Sequence, residues 1–275
     1  MYLPTNAIAP KIRLLVLDLD GTIVDHSEHI RESVVRAAQL IQRRGVAVAI
    51  ATGRLYQTAL PAYRLLGSTL PLICYEGALI KEPLTGVVHR HLSLDPNVVI
   101  RLIASAGNLS IHFHVENKIF VSTIDRFTEE FYNGFNIELS LTEDLSRLKD
   151  VTKVTMLSED PQVLAALSSE LTDSHIRLRP SQYKSLSILE GLHPLASKRS
   201  AVKYLAEEIM NLRPEEVMTI GDDFTDSDLF AYAGLSVAMG NASSEVKASA
   251  DWVTKYIEED GMAYAVDRWL SLCPV

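Results

Sequence analysis

Five carboxylates follow directly on two buried-strand patterns. Asp18 and Asp20, in Asp18-Leu19-Asp20-Gly21-Thr22, come after the apolar run Leu14-Leu15-Val16-Leu17, and Asp222, Asp223 and Asp226, in Gly221-Asp222-Asp223-Phe224-Thr225-Asp226, come after Val217 to Ile220. Acids at i and i+2 of an extended chain project to the same side. A divalent cation there relieves their repulsion while one carboxylate attacks and the other moves a proton. Hard oxygen donors suit magnesium, which takes one or two carboxylates together with water and phosphate oxygens. Thr52-Gly53-Arg54 closes another apolar run and offers a hydroxyl and free backbone N–H groups to a phosphate. Lys198, at a predicted helix start after Pro194, brings a cation. Each segment also has a plainer reading: a strand-end turn at Asp18 to Thr22, an N-cap at Asp223 or Thr225, a cap at Thr52, a solvated Lys198. One site explains all four segments, whereas the plainer readings need four coincidences.

The flanking patterns say what positions these residues. From His29, Ile30, Val34, Ala37 or Ala38 and Ile41 recur at helical spacing; Arg43 and Arg44 fall in the last turn and Gly45 supplies a terminator. Val46 to Ala51 then reads as a second buried strand, so strand, helix and strand make a right-handed βαβ unit of a parallel sheet, with ligands expected beyond the carboxyl ends of its strands. A helix over Leu55 to Leu66 carries Pro61, which predicts a kink, and Pro71 to Cys74 reads as a further short strand. Between Pro83 and Gly191 the rhythm changes. Thr85-Gly86 signals a turn, and Ile111 to Val115 and Lys118 to Ser122 read as strands pairing around Glu116-Asn117. Helices are expected near Pro96 to Ala106, Asp125 to Tyr132 and Pro161 to Leu171, and strands near Val151 to Leu157, Ile176 to Arg179 and Leu186 to Leu189. After Gly191 the α/β alternation resumes with a helix over Lys198 to Met210, a strand Val217 to Ile220, a short helix from Thr225 and a strand Leu235 to Met239. The predicted fold is α/β: a Rossmann-like parallel-sheet core in two pieces, residues 1–83 and 191–275, with an inserted α+β domain over 84–190.

Composition narrows the function classes. The 275 residues exceed a typical single domain, and 47% hydrophobic with 22% charged is an ordinary globular balance. A formal charge of −9, with no basic run beyond Arg43-Arg44, argues against a nucleic-acid partner. No apolar run approaches the roughly 20 residues of a membrane span, and Met1 to Arg13 lacks a signal-peptide pattern. Cys74 and Cys273 fit neither a Cys-x-x-Cys pair nor a metal cluster, so free thiols and a cytoplasmic location are expected.

In their order along the chain, Asp18-Leu19-Asp20-Gly21-Thr22, Ala51-Thr52-Gly53-Arg54, Lys198 and Gly221-Asp222-x-x-x-Asp226 resemble the motifs of the haloacid dehalogenase superfamily. Ala238-Met239-Gly240-Asn241-Ala242, Glu245-Val246-Lys247-Ala248, Ala250-Asp251 and Glu259-Asp260-Gly261 resemble the C-terminal signature of its Cof-type phosphatases, which carry a large α/β cap of type IIB after the third strand. The resemblance implies that Asp18 attacks phosphorus while Asp20 protonates the leaving alkoxide and then activates water. It implies magnesium held by the Asp18 side chain, the Asp20 carbonyl and Asp222, with Asp223 adding a contact. Thr52, Gly53 and Lys198 would bind the phosphoryl group, Thr225 would join the substrate contacts, and Asp226 would orient Lys198. The substrate implied is a small phosphorylated metabolite, the assembly a monomer or homodimer. Three positions depart from the family pattern: Glu76 replaces Asn, Arg199 replaces Gly, and Thr225 replaces Asn. Glu76 at a strand end is expected to disfavour anionic leaving groups if it meets substrate, and to be structural if it turns outward. His112, His114, Tyr183 and Lys184 are candidate leaving-group contacts in the insertion, though each reads equally as structural, and two histidines alone are weak evidence for zinc. A phosphosugar mutase with the same aspartyl-phosphate, or a non-catalytic binding protein, are the competing functions.

Overall fold

The structure, a computed structural model, describes residues 11–133, 137–171 and 175–273. In chain order its strands and helices are β1 (Leu14–Leu17), α1 (Glu32–Arg43), β2 (Ala47–Ile50), α2 (Tyr56–Leu66), β3 (Leu72–Cys74), β4 (Leu79–Lys81), β5 (Val88–His91), α3 (Pro96–Ala106), β6 (Ser110–Val115), β7 (Lys118–Val121), α4 (Arg126–Tyr132), β8 (Glu138–Leu141), β9 (Val151–Ser158), α5 (Pro161–Glu170), β10 (Arg177–Tyr183), β11 (Leu186–Leu192), α6 (Lys198–Lys203), β12 (Val217–Gly221), α7 (Phe224–Phe230), β13 (Leu235–Ala238), α8 (Ser244–Ser249), β14 (Trp252–Val253) and α9 (Gly261–Leu272). The chain divides into two compact units, one of residues 1–54, 59–89 and 197–275, the other of 55–58 and 90–196.

The first unit is built on a five-stranded sheet, β14-β13-β12-β1-β2, parallel throughout. Every residue of β1 is buried, as a strand covered on both faces requires, which explains its unbroken Leu-Leu-Val-Leu. The segment Pro71 to Cys74 is a strand, but it joins this sheet only through a parallel bridge from Ile73 to Ala51; its ladder runs antiparallel to β4 in a separate sheet of order β3-β4-β5. The Thr85-Gly86 turn lies between β4 and β5, closed by the Gly86 N–H donating to the Glu82 carbonyl at 2.9 Å.

The helix expected over Lys198 to Met210 is not one α-helix. Six α-helical residues are followed by a π-wound stretch, Tyr204–Ile209, ending with the Met210 N–H donating to the Leu205 carbonyl at 3.0 Å. Apolar periodicity gives no warning of this, because no Gly or Pro marks the change of winding. Pro61 does lie inside α2.

The second unit is a six-stranded sheet of order β10-β11-β9-β6-β7-β8, antiparallel except for the parallel pair β7–β8. One face carries Ile111, Phe113, Val154, Met156 and Leu189 into a core shared with α3 and α5. Asp95 and Asp160 cap those helices through their side chains, each followed by a proline in the first turn, which is why both starts were readable.

Candidate active site

β1 and β12 are neighbours in register, with Leu17 opposite Ile220, so the two acidic segments leave the sheet side by side. The Asp18 N–H still donates to the Ile220 carbonyl at 3.1 Å. Gly21 then turns the chain with φ 79°, where a side chain is disfavoured, and a Cβ there would collide with the Asp222 carboxylate. That close approach lets the Thr22 hydroxyl donate to Asp222 Oδ1 at 3.0 Å.

Lys198, the first residue of α6 after its Ser197 N-cap, reaches into this group. Its ammonium donates to Asp18 Oδ1 at 2.6 Å and to Asp226 Oδ1 at 2.8 Å, and all three side chains are buried. The other Asp226 oxygen accepts the N–H groups of Asp222 and Asp223 at 3.0 and 3.1 Å, so its lone pairs are largely committed within the protein. Asp223 is the N-cap of α7, and the Thr225 hydroxyl, itself buried, lies 3.4 Å from its carboxylate.

These contacts set the electrostatics. Burial pushes the Asp18 carboxyl well above the ordinary range against the pull of Lys198, and Asp226 and Asp222 add to the rise. Burial, with Asp226 beside it, pushes Asp222 up to about 7. Burial disfavours the Lys198 ammonium, yet Asp18, Asp226 and Glu76 outweigh it and hold the proton well above the usual lysine range. Oxygens of Asp18, Asp222 and Asp226 lie within 4.8 Å of one another, three carboxylates against one ammonium. Three carboxylates crowded against one ammonium are short of positive charge, and a hard dication meets that need, so the donor set fits magnesium. Lys198 takes only Oδ1 of Asp18, the Thr22 hydroxyl and the Asn241 amide each donate to one oxygen of Asp222, and the oxygens of Asp226 are engaged by Lys198 and the backbone.

Asp20 points elsewhere. Its side chain is 58% exposed and held by Arg54, whose Nε donates to both carboxylate oxygens at 3.0 and 2.9 Å and whose terminal nitrogen donates to Oδ1 at 2.5 Å. Glu28 holds the same guanidinium at 2.7 Å. Arg54 is thus the residue that fixes the second acid, a role the sequence did not assign to it. Thr52 is fully buried and its hydroxyl accepts the Arg54 N–H at 3.1 Å. Because α2 begins only at Tyr56, Thr52 closes a turn and not a helix start, and Gly53 lies between these two residues. Asn241 was also missed as a contact: its amide donates to the Gly21 carbonyl at 2.8 Å and to Asp222 Oδ2 at 3.2 Å.

Of the three departures, Arg199 is exposed and Thr225 buried. Glu76 is buried and does not turn outward. His112 and His114, both in the second unit, are occupied within it. His112 Nε2 meets the hydroxyls of Ser110 and Thr128 at 2.9 and 3.0 Å, Nδ1 meets the Tyr132 hydroxyl at 3.2 Å, and burial drives the ring down to about 4. His114 Nε2 meets the Thr155 hydroxyl at 2.9 Å. Tyr183 packs edge-on against Phe131, with the Lys184 ammonium 5.0 Å over its ring. Both cysteines are free, and among the described residues no helix is long and apolar enough to cross a membrane.

Comparisons with known proteins bear on the family and the fold. The 5-amino-6-(5-phospho-D-ribitylamino)uracil phosphatase YitU of Bacillus subtilis is 27% identical over 268 residues, covering 94% of this chain and 98% of its own. A solved haloacid dehalogenase-like hydrolase from Bacteroides thetaiotaomicron superposes with a TM-score of 0.85 at 28% identity, over 94% of this chain and 99% of that one. The fold also matches the subclass IIB sugar phosphatase BT4131, with a TM-score of 0.78 at 22% identity over 94% of this chain and 99% of that one. The model of the haloacid dehalogenase-like hydrolase family matches residues 15–266, nearly the whole sequence, and the chain belongs to that family.

Proposed function

We propose that this hydrolase is a magnesium-dependent phosphatase of small phosphorylated metabolites, sugar phosphates or similar phosphomonoesters, working through an aspartyl-phosphate on Asp18. The observation that carries the proposal is the buried Lys198 ammonium bridging Asp18 and Asp226 at the carboxyl ends of β1 and β12. Lys198 engages one oxygen of Asp18 and leaves the other as nucleophile, attacking phosphorus in line. Asp20 gives a proton to the departing alkoxide, then takes one from the water that cleaves the aspartyl-phosphate. Arg54 holds Asp20 for both steps. The Thr52 hydroxyl, the Gly53 N–H and Lys198 hold the phosphoryl oxygens, Thr225 lies with the substrate contacts, and Asp226 orients Lys198. Asp18, the Asp20 carbonyl, Asp222 and Asp223 would hold magnesium, which supplies positive charge against the transferring phosphoryl group. Residues 84–190 are proposed to be the type IIB cap, and the protein to be a cytoplasmic monomer or homodimer. That a relative with 27% identity is a phosphatase of a phosphomonoester supports the reaction class.

The test is a phosphate-release screen across phosphorylated metabolites, with magnesium and with a chelator. Turnover of at least one monoester, abolished by chelation and restored by magnesium, is expected. Silence across the panel would favour a binding protein, and transfer that needs a bisphosphate activator and frees no phosphate would favour a mutase.

A further inference from the structure

Glu76 occupies a backbone conformation that its side chain does not favour. Tyr75, Glu76 and Gly77 have φ of 51°, 54° and 90°, three left-handed residues in succession. Glycine tolerates that region best, asparagine next, and a longer side chain such as glutamate pays a steric penalty. The turn is tied to the segment that holds the phosphoryl oxygens: the Tyr75 N–H donates to the Arg54 carbonyl at 3.1 Å and the Glu76 N–H to the Thr52 carbonyl at 3.0 Å. This brings the Glu76 side chain, 7% exposed, against Gly53, where a Cβ would collide with Oε1 of its carboxylate. The same carboxylate contributes to the field that holds the Lys198 proton.

Asparagine, the residue of the family pattern at this position, would suit the left-handed backbone and carry no charge. Glutamate is unfavourable on both counts: it strains the turn and puts a negative charge beside a group meant to receive a phosphoryl dianion. A strained residue that its surroundings hold in place points to a function. We propose that Glu76 is a selectivity residue that weakens the grip of the site on a fully charged phosphoryl group, so that orthophosphate leaves instead of being retained. This rests on the reading of Thr52, Gly53 and Lys198 as the phosphoryl-binding group. Two effects act in the same direction. The carboxylate repels the dianion directly, and it neutralises part of the Lys198 charge that would otherwise attract it.

The experiment is calorimetric titration of orthophosphate into the full chain with excess magnesium, for the wild type, Glu76→Gln and Glu76→Asn, together with thermal unfolding of each protein without phosphate. Both variants should bind orthophosphate about 10-fold more tightly, as expected for loss of one nearby charge in a partly dry site. Glu76→Asn should also raise Tm above that of Glu76→Gln, because only asparagine relieves the left-handed strain. Tighter binding cannot come from simple damage to the site. If the wild type binds orthophosphate and both variants bind it equally or more weakly, the selectivity role is wrong and Glu76 is structural. If neither the wild type nor the variants bind orthophosphate, the phosphoryl-site reading itself fails and the role of Glu76 fails with it.

Discussion

Replacing Lys198 by methionine keeps the length of the side chain and removes its charge. In the metal-free protein this leaves Asp18 and Asp226, both buried and formerly 2.6 and 2.8 Å from the ammonium, facing each other without a cation. Breaking a buried pair by removing one partner costs about 3–5 kcal/mol. Asp18→Asn by itself should cost less, since it leaves Asp226 at 2.8 Å to pair with the Lys198 ammonium. In the Lys198→Met background the same change should restore stability, giving a coupling of about 1.5–3 kcal/mol, the range for a hydrogen bond to a charged group. Urea unfolding in the presence of chelator, followed by tryptophan fluorescence, isolates the relevant unit, because Trp252 and Trp269, the two tryptophans of the chain, both belong to it. If the two substitutions add to within about 0.5 kcal/mol, the charges are not coupled and the description of the triad is wrong.

Asp222 gives a pH signature. Its carboxyl is raised from 3.8 to about 7 in the folded state, so the folded chain binds this proton more tightly than the unfolded one; the stabilisation is complete below pH 3.8 and is lost as pH rises through 7. Metal-free wild type should therefore lose stability relative to Asp222→Asn across that window, and a difference flat in pH would contradict the assignment. Arg54→Met should lower kcat about 100-fold by releasing Asp20. Stability should fall by less than about 1 kcal/mol, because the Asp20 side of the pair is exposed. Arg54→Lys should not restore the rate, since lysine lacks the two-pronged donor geometry; full activity in either variant would remove Arg54 from the mechanism.

The parts of the molecule that carry periodic or capped patterns were legible in the sequence. The fully buried β1, the α1 stripe and the Asp-Pro starts of α3 and α5 each follow from local residue types. The meeting of Asp18 and Asp222 was legible because strand ends in a parallel sheet converge, whereas Lys198, at a helix start, joined them only through the combined motifs and their family resemblance. What escaped depended on long-range approach. Thr22 meets Asp222 and Asn241 meets Gly21 across 200 and 220 residues, distances at which spacing carries no information. Arg54 was visible only as part of a motif, and its grip on Asp20 and Glu28 required the turn geometry at residues 52–54. The π-winding after α6 and the short β14 with α8 and α9 around it were also missed. A two-residue strand leaves no period to detect, and π-winding keeps an apolar pattern close to that of an α-helix.

The central claim is that phosphate passes through Asp18. It is tested most directly by acid-quenching the Asp20→Asn enzyme with magnesium and an activated aryl phosphate, a substrate that needs no help in leaving, and then mapping the phosphopeptide by mass spectrometry. With the water-activating group gone, the intermediate should accumulate as a single phosphoryl group on the peptide containing Asp18, labile to hydroxylamine as an acyl phosphate is, and absent from Asp18→Asn. Release of the aryl alcohol with no phosphorylated Asp18 peptide, or a label on any other residue, would contradict the account.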